Sequence, residues 1–543
     1  MNAARHGLWL ILALALAVRL APMLCTVQVS PEAVETRNLA GNIRAGRGLL
    51  LTIKTQWLDL APVKSFGGRE RPVLPAMLVA LLGLVGAPGS AAQMFGPLLF
   101  LLALALLHRT LTAEAGPEAA LGAGLLVALN PVLLGASLAP GAEPAVFFFL
   151  ALILWSHLRQ RSAMLSGLGC ALGFLASPAM LLVTVLLALA YAGDAWRHGR
   201  PLRLALFVVF AAIGPLWQMS FNHMAGLPPW FFPQAYLLRV LSESAARHNL
   251  HQGAIFASPA ALFKSQGHEV ARLIGRHARD AVAWTVSTRG LGLLIVLTPL
   301  AFAGLRQAQH LRRMVWLLWI ALAFAALAML AWFREDPTAG LAIPCLLGLI
   351  LLVVGVFEIL GREPLGRGAG AWRSAAGAVI FTTALIWLTM DLAQDWQAYR
   401  QRAVAGRPAF PAAWSKPGLD EVIEAIRNDR GEGRLAAPPV VAGSNPWLLS
   451  FRTGLPATIL PYDLNGHEWT ALLDQAQASF VVIDLEEWEP AAGEHLGDLL
   501  TTLAKANWAP WLGRGQIQVW RRTRAVRPTG ETPGPPASAG RVT

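Results

Sequence analysis

The sequence predicts a mainly α, polytopic membrane protein with a small α/β domain near its C-terminus. Three observations carry this. Hydrophobic residues make up 55% of the 543 and charged residues only 14%, where a soluble domain carries about a quarter charged. Apolar runs of about 17 residues or more, long enough to cross a bilayer, recur through the first 390 residues. After Asp391 they stop, and helical and strand periods alternate up to Arg522.

The first run, 8–25, follows Arg5 and is interrupted by Arg19. Without a small-x-small cleavage site it reads as a retained first helix and not as a cleaved leader. A charged loop, Ser30 to Pro75, comes next. Further runs lie at 91–108, 117–134, 143–158, 203–219, 290–305, 314–332, 338–358 and 374–390. The stretch 163–193 is too long for one helix and breaks at Ser177-Pro178, so it reads as two. The short run 73–87 is decided by charge. If it does not cross, Arg5 shares one side with Arg109, Arg159, Arg161, Arg197, Arg200, Arg203, Arg306, Arg312, Arg313, Arg362, Arg367 and Arg373. That side is the cytoplasm by the positive-inside rule. The expectation is therefore about eleven spans plus juxtamembrane helices, with the N-terminus inside and the C-terminus outside. The outer face then holds loops 26–90 and 220–288, and the second of these has helix-like stretches near 234–247 and 258–284.

The domain boundaries expected are 1–392 for the membrane part, 393–523 for a soluble α/β part and 524–543 for a disordered tail. Within the soluble part, helices are expected at 417–427, 467–477 and 495–506, and strands at 439–442, 480–483 and 516–520. Ser444-Asn445-Pro446 and Thr453-Gly454 read as turns.

The net charge of +12 comes largely from bases in short loops between apolar runs, which speaks for membrane topology and against nucleic acid. Cys25, Cys170 and Cys345 have no ligand or disulfide spacing. No P-loop, GxGxxG, HExxH or GxSxG is present. The histidines of the 220–288 loop have no metal-like pairing, so neither a metal site nor a cofactor is expected, and dependence on a divalent ion stays open. What remains is carboxylates and arginines at the outer surface. Glu32 follows Pro31 at the start of a short helix, where an acid suits the helix dipole. Glu143 precedes Pro144 at the start of a span, where the same holds. Arg334-Glu335-Asp336 sits in a short outer loop. Each has this plain reading. Taken together they have a second one, in which cations hold a phosphate leaving group and a carboxylate takes the proton of an attacking hydroxyl.

The segment from Glu32 through Arg37, Asn38-Leu39-Ala40 and Asn42 to Gly46-Arg47-Gly48 resembles the first outer loop of the GT-C glycosyltransferases. The bacterial group of protein O-mannosyltransferases and lipid A aminoarabinose transferases is the nearest in pattern. Arg71-Pro72-Val73-Leu74-Pro75 is similar to that loop's proline-rich end. Asn130-Pro131 with Glu143-Pro144, Gly167 to Pro178, Pro215-Leu216-Trp217 with Asn222, and Ser444 to Pro456 resemble later motifs, in order. The sequence departs from the pattern at Glu32, where the family usually carries Asp, and at Thr36, Ser177 and Leu216. The resemblance implies a GT-C-like fold and a bacterial inner-membrane glycosyltransferase with a periplasmic C-terminal domain; the alternatives are a catalytically divergent subunit of that fold and a transporter or flippase of a lipid-linked sugar. Its partners would be a polyprenyl-phosphate-linked sugar, membrane lipid, and a lipid, glycan or protein acceptor. It implies Glu32 as general base and Glu143 as a second acid or acceptor-orienting group. Arg71 and Arg334, with Arg37 and Arg47, would hold the carrier phosphate.

Overall fold

The computed structural model describes residues 2–25, 31–54, 65–66, 73–84, 88–138, 140–159, 162–224, 337–360, 418–431, 439–460, 466–486 and 494–523, with single positions and short pieces elsewhere between 229 and 416. The chain divides into two compact units. One comprises Met1–Leu58 and Lys64–Lys416; the other comprises Asp59–Val63 and Pro417–Thr543. The expected spans 290–305 and 314–332, the outer-loop stretch 234–247 and the tail 524–543 lie outside the described residues.

The first unit is helical. It runs α1 (Asn2–Cys25), α2 (Pro31–Arg44), the short strands β1 (Leu50–Leu51), β2 (Ile53–Lys54) and β3 (Ser65–Phe66), then α3 (Val73–Leu82), α4 (Pro88–Glu114), α5 (Pro117–Leu129) and α6 (Pro131–Leu138). It continues through α7 (Ala142–Leu158), α8 (Ala163–Ala176), α9 (Met180–His198), α10 (Pro201–Met224) and α11 (Pro337–Leu360). Among the described residues, helices 92–114, 180–198 and 201–224 are long and apolar enough to cross a membrane, and the bent pair α5–α6 makes a fourth candidate. With α1 and α11 of comparable length, 24 residues each, this is an integral membrane protein.

The run 163–193 is two helices, as the Ser177-Pro178 signal predicts. The α8 helix ends at Ala176, with Ser177 as an extended C-cap, and α9 starts at Met180. The run 117–134, expected as a single apolar run, is not one straight helix. It breaks at Asn130-Pro131, and α6 leaves α5 at 63°. The cause is local. Pro131 has no N–H to give the preceding turn, and Asn130 adopts an extended conformation with its Oδ1 accepting from the Leu133 amide at 3.1 Å. Asn followed by Pro is N-cap followed by N1 of a new helix.

Direction follows from close contacts. Gly7 and Ile11 of α1 face Leu121 and Gly124 of α5 in the same order, so α1 and α5 run parallel. Gly7 meets His108 and Arg19 meets Phe100, so α4 runs back along α1. The segment between α1 and α4 therefore returns to the side on which α1 ended. The ten residues of α3 span about 15 Å, half of a ~30 Å hydrocarbon core. Both facts agree with the expectation that 73–87 does not cross.

Small residues bring α8 and α10 together. A Cβ on Gly167 would sit 2.5 Å from the Phe207 carbonyl, and one on Gly214 would sit 2.4 Å from the Ala171 carbonyl. Backbones this close are the reason for glycine at both places.

The C-terminal unit contains α12 (Leu419–Gly431), β4 (Val440–Gly443), α13 (Pro446–Thr453), β5 (Ala457–Ile459), α14 (Gly466–Gln475), β6 (Ala478–Asp484), α15 (Glu494–Lys505), β7 (Trp508–Arg514) and β8 (Ile517–Arg522). Its strands lie in the order β5-β4-β6-β8-β7. The pairs β4–β5 and β4–β6 are parallel, and β6–β8 and β8–β7 antiparallel. The expected helices and strands are all present. Two strands, β5 and β7, and one helix, α13, were not expected. The supposed turns at 444–446 and 453–454 are the two ends of α13. Asn445 accepts from the Leu448 amide at 3.0 Å as N-cap, and Gly454 closes the helix in the left-handed region at φ 69°.

Candidate active site

The α2 helix begins where the sequence places its charged loop. Pro31 opens it and Glu32 is in its first turn. Its polar face holds the chain that follows. Asn38 donates from Nδ2 to Thr52 Oγ1 at 2.7 Å and accepts from the Thr52 amide at 2.9 Å. Asn42 Nδ2 donates to the Leu50 carbonyl at 2.6 Å. The chain turns back through Gly46 and Gly48, both with φ near +70°, a region open to glycine at little cost. Strand β1 then pairs antiparallel with β3. The asparagines and glycines of the motif thus act as a scaffold that fixes α2.

That scaffold delivers Glu32 to the start of α7. Glu32 Oε1 accepts a hydrogen bond of 2.7 Å from the amide of Ala142, the first residue of α7. The carboxylate caps a helix 110 residues away in sequence, at the end where the helix dipole favours an anion. Glu143 is the next residue. A Cβ at Gly141 would lie 2.7 Å from Glu143 Oε2 and 3.5 Å from Glu32 Oε2, so these two oxygens are no more than about 6 Å apart. Gly141 has an ordinary extended backbone, φ −103°. Space is what glycine provides here: a Cβ would displace the Glu143 carboxylate and press on the Glu32 carboxyl carbon at 3.3 Å.

The structure therefore brings together Glu32 and Glu143, both half-buried. Arg37 lies on the same helix as Glu32, and burial pushes its guanidinium down to about 10, still cationic at neutral pH. Arg47 is exposed at the turn after α2, next to Gly46 and Gly48. Arg71, Arg334, Glu335 and Asp336 lie outside the described residues. Among the described residues no group of three or more His, Cys, Asp or Glu is arranged to hold a metal ion. Sequence reasoning missed Gly141. Its signal was present in Pro140-Gly141 directly before an acid that starts a helix. It also missed Arg19, which it treated only as an interruption of the first span.

No family model and no curated protein matches the chain by sequence. Solved structures do match it. ArnT from Cupriavidus metallidurans, bound to undecaprenyl phosphate, is similar with a TM-score of 0.57 at 13% identity, over 94% of this chain and 97% of that one. The chain has the GT-C fold. The archaeal oligosaccharyltransferase AglB from Archaeoglobus fulgidus, in complex with an inhibitory peptide and a dolichol-phosphate, has a TM-score of 0.50 at 12% identity, over 97% of this chain and 75% of that one. Within this GT-C fold the corner between α2 and α7 is where two acids meet in the described residues. In the later Pro215-Leu216-Trp217 motif, Asn222, buried on α10, accepts from Gln218 Nε2 at 3.0 Å and donates to the Pro229 carbonyl at 2.8 Å.

Proposed function

We propose that this protein is an integral-membrane glycosyltransferase that moves a sugar from a polyprenyl-phosphate carrier to a hydroxyl of a lipid, glycan or protein. It would act on the extracytoplasmic face of a bacterial inner membrane. One observation carries the reading: in a GT-C fold, Glu32 and Glu143 meet at Gly141 although 111 residues separate them.

The chemistry is a single inverting displacement. The acceptor oxygen bonds to the anomeric carbon as its proton passes to Glu32, and the bond from that carbon to the carrier phosphate breaks. Glu143 orients the acceptor. The phosphate leaves with the polyprenyl chain, its charge held by Arg71 and Arg334, with Arg37 and Arg47 as further cations. Arginine suits this because its planar fork meets two phosphate oxygens at once.

The test is Glu32→Gln in proteoliposomes supplied with polyprenyl-phosphate sugars. The amide keeps an oxygen to accept from Ala142, so the cap survives and the base does not. Transfer falls by about 100-fold or more, with thermal stability unchanged. Full transfer by this variant removes Glu32 as the base. A second reading, a catalytically silent subunit of the same fold, is favoured by the fact that the bond Glu32 makes is a helix cap. In that reading Glu32→Gln is silent, and Glu32→Ala costs only about 1 kcal/mol of stability. Orientation is tested by reporter fusions after residues 112 and 400: the proposal requires a cytoplasmic signal at the first and none at the second.

A further inference from the structure

Arg19 is wholly buried in the first unit, on α1. A guanidinium inside a membrane bundle is costly, and such groups persist where they perform a task. Among the described residues no carboxylate neutralises it. Its partners all belong to the helices around it. Nε donates to Ser137 Oγ on α6 at 2.8 Å. Nη1 donates to the Ala128 carbonyl on α5 at 3.1 Å and to the Ala15 carbonyl of its own helix at 3.2 Å. The guanidinium lies 3.7 Å from the centroid of Phe100 on α4, and Phe100 meets Phe147 of α7 edge-on at 6.0 Å.

These contacts fall on both sides of the Asn130-Pro131 break. Ending a helix leaves its last carbonyls without donors, and in a bilayer such groups must find partners inside the protein. Arg19 satisfies one of them, at Ala128, and with the next N–H of the same rigid fork grips Ser137 beyond the break. Ser137 is held in turn, donating to the Leu134 carbonyl at 2.9 Å. From Ser137 the chain has four residues to reach Gly141, Ala142 and Glu143. The ring contact from Phe100 reaches α7 at Phe147, one turn beyond Glu143.

We infer that Arg19 is a positioning residue: by bridging α5 and α6 across their break it sets where the start of α7 sits, and so holds Glu143 and the Ala142 amide against Glu32. This rests on the proposed glycosyltransferase only for its activity readout. The geometric claim stands apart from it.

The experiment combines hydrogen exchange with kinetics on the full chain in detergent or nanodiscs, comparing Arg19→Met, Arg19→Lys and Ser137→Ala with the parent. Lysine keeps the charge but lacks the two fixed donor directions that span the break. The expected result is exchange at least ten-fold faster in the peptide covering 139–146 for both Arg19 variants, and a smaller rise for Ser137→Ala. Peptides from α8 to α10 stay unchanged. In the transfer assay kcat falls at least ten-fold in Arg19→Lys, while KM for the carrier sugar moves less than three-fold. Unchanged exchange at 139–146 in a folded Arg19→Lys or Ser137→Ala overturns the inference. So does faster exchange spread evenly over the helical unit, which would make Arg19 a general stability element. If the local exchange changes occur but no transfer is found with any carrier sugar, the positioning role holds and the proposed function fails.

Discussion

The two units handle charge in opposite ways. In the C-terminal unit, basic side chains meet acids near the surface: Arg452 with Asp420, Arg514 with Glu421, Arg521 with Asp429 and Arg522 with Asp474. Their acids are mostly exposed, and such pairs contribute about 0–1 kcal/mol each. In the helical unit Arg19 is bonded to backbone and hydroxyl oxygens and Glu32 to a backbone amide. Charge in the C-terminal unit is mostly paired side chain to side chain near the surface. In the helical unit Arg19 and Glu32 are placed where a helix breaks or begins, bonded to groups that the break or the start leaves over.

That contrast can be broken or sharpened by substitution, with the largest effect expected at the corner. Gly141→Ala inserts a Cβ 2.7 Å from Glu143 Oε2 and 3.3 Å from Glu32 Cδ. In the proposed reaction, moving the base and the acceptor-orienting acid apart by a fraction of an ångström costs about 10- to 100-fold in rate. Transfer kinetics on Gly141→Ala check this, and parental activity would mean that the two acids do not act together. Next comes Arg521→Ala. It leaves Asp429, only 6% exposed, without its cation, and Asp429 Oδ2 already lacks a partner among the described residues. A buried acceptor stranded in this way costs about 1–3 kcal/mol, read as a lower thermal midpoint of the full chain. Asn445→Ala removes the cap of α13 and costs about 1 kcal/mol by the same measurement. Arg514→Ala, whose pair with Glu421 is more than half exposed on both sides, changes stability by less than about 0.5 kcal/mol. An Arg514 effect as large as that of Arg521 would contradict the view that exposure decides.

Much of this fold was legible because run length and charge carry it. The membrane class, the break at Ser177-Pro178 and the short α3 each follow from composition or a proline. The break at Asn130-Pro131 was hidden by an apolar run that continues on both sides, although the Asn-Pro pair marks an N-cap and its N1. The α13 helix went unread because its cap and its left-handed glycine look like two loops from sequence. β5 has three residues and no room for a period, and β7 contains Pro510 and Gly513, which weaken a strand signal. At the corner, the acids were legible as candidates from the resemblance and from their places at helix starts. Their meeting at Gly141 was not, since nothing local in sequence reports a contact across 111 residues.

The glycine contacts between α8 and α10 have a mechanical consequence. Gly167 rests on a carbonyl of α10, and Gly214 rests on a carbonyl of α8. The two notches lie at different heights and face opposite ways. To slide along its neighbour, either helix would have to ride up over a peptide group at both places at once. The geometry favours movement of these two helices as one strut, with bending taken up by the joints at their ends.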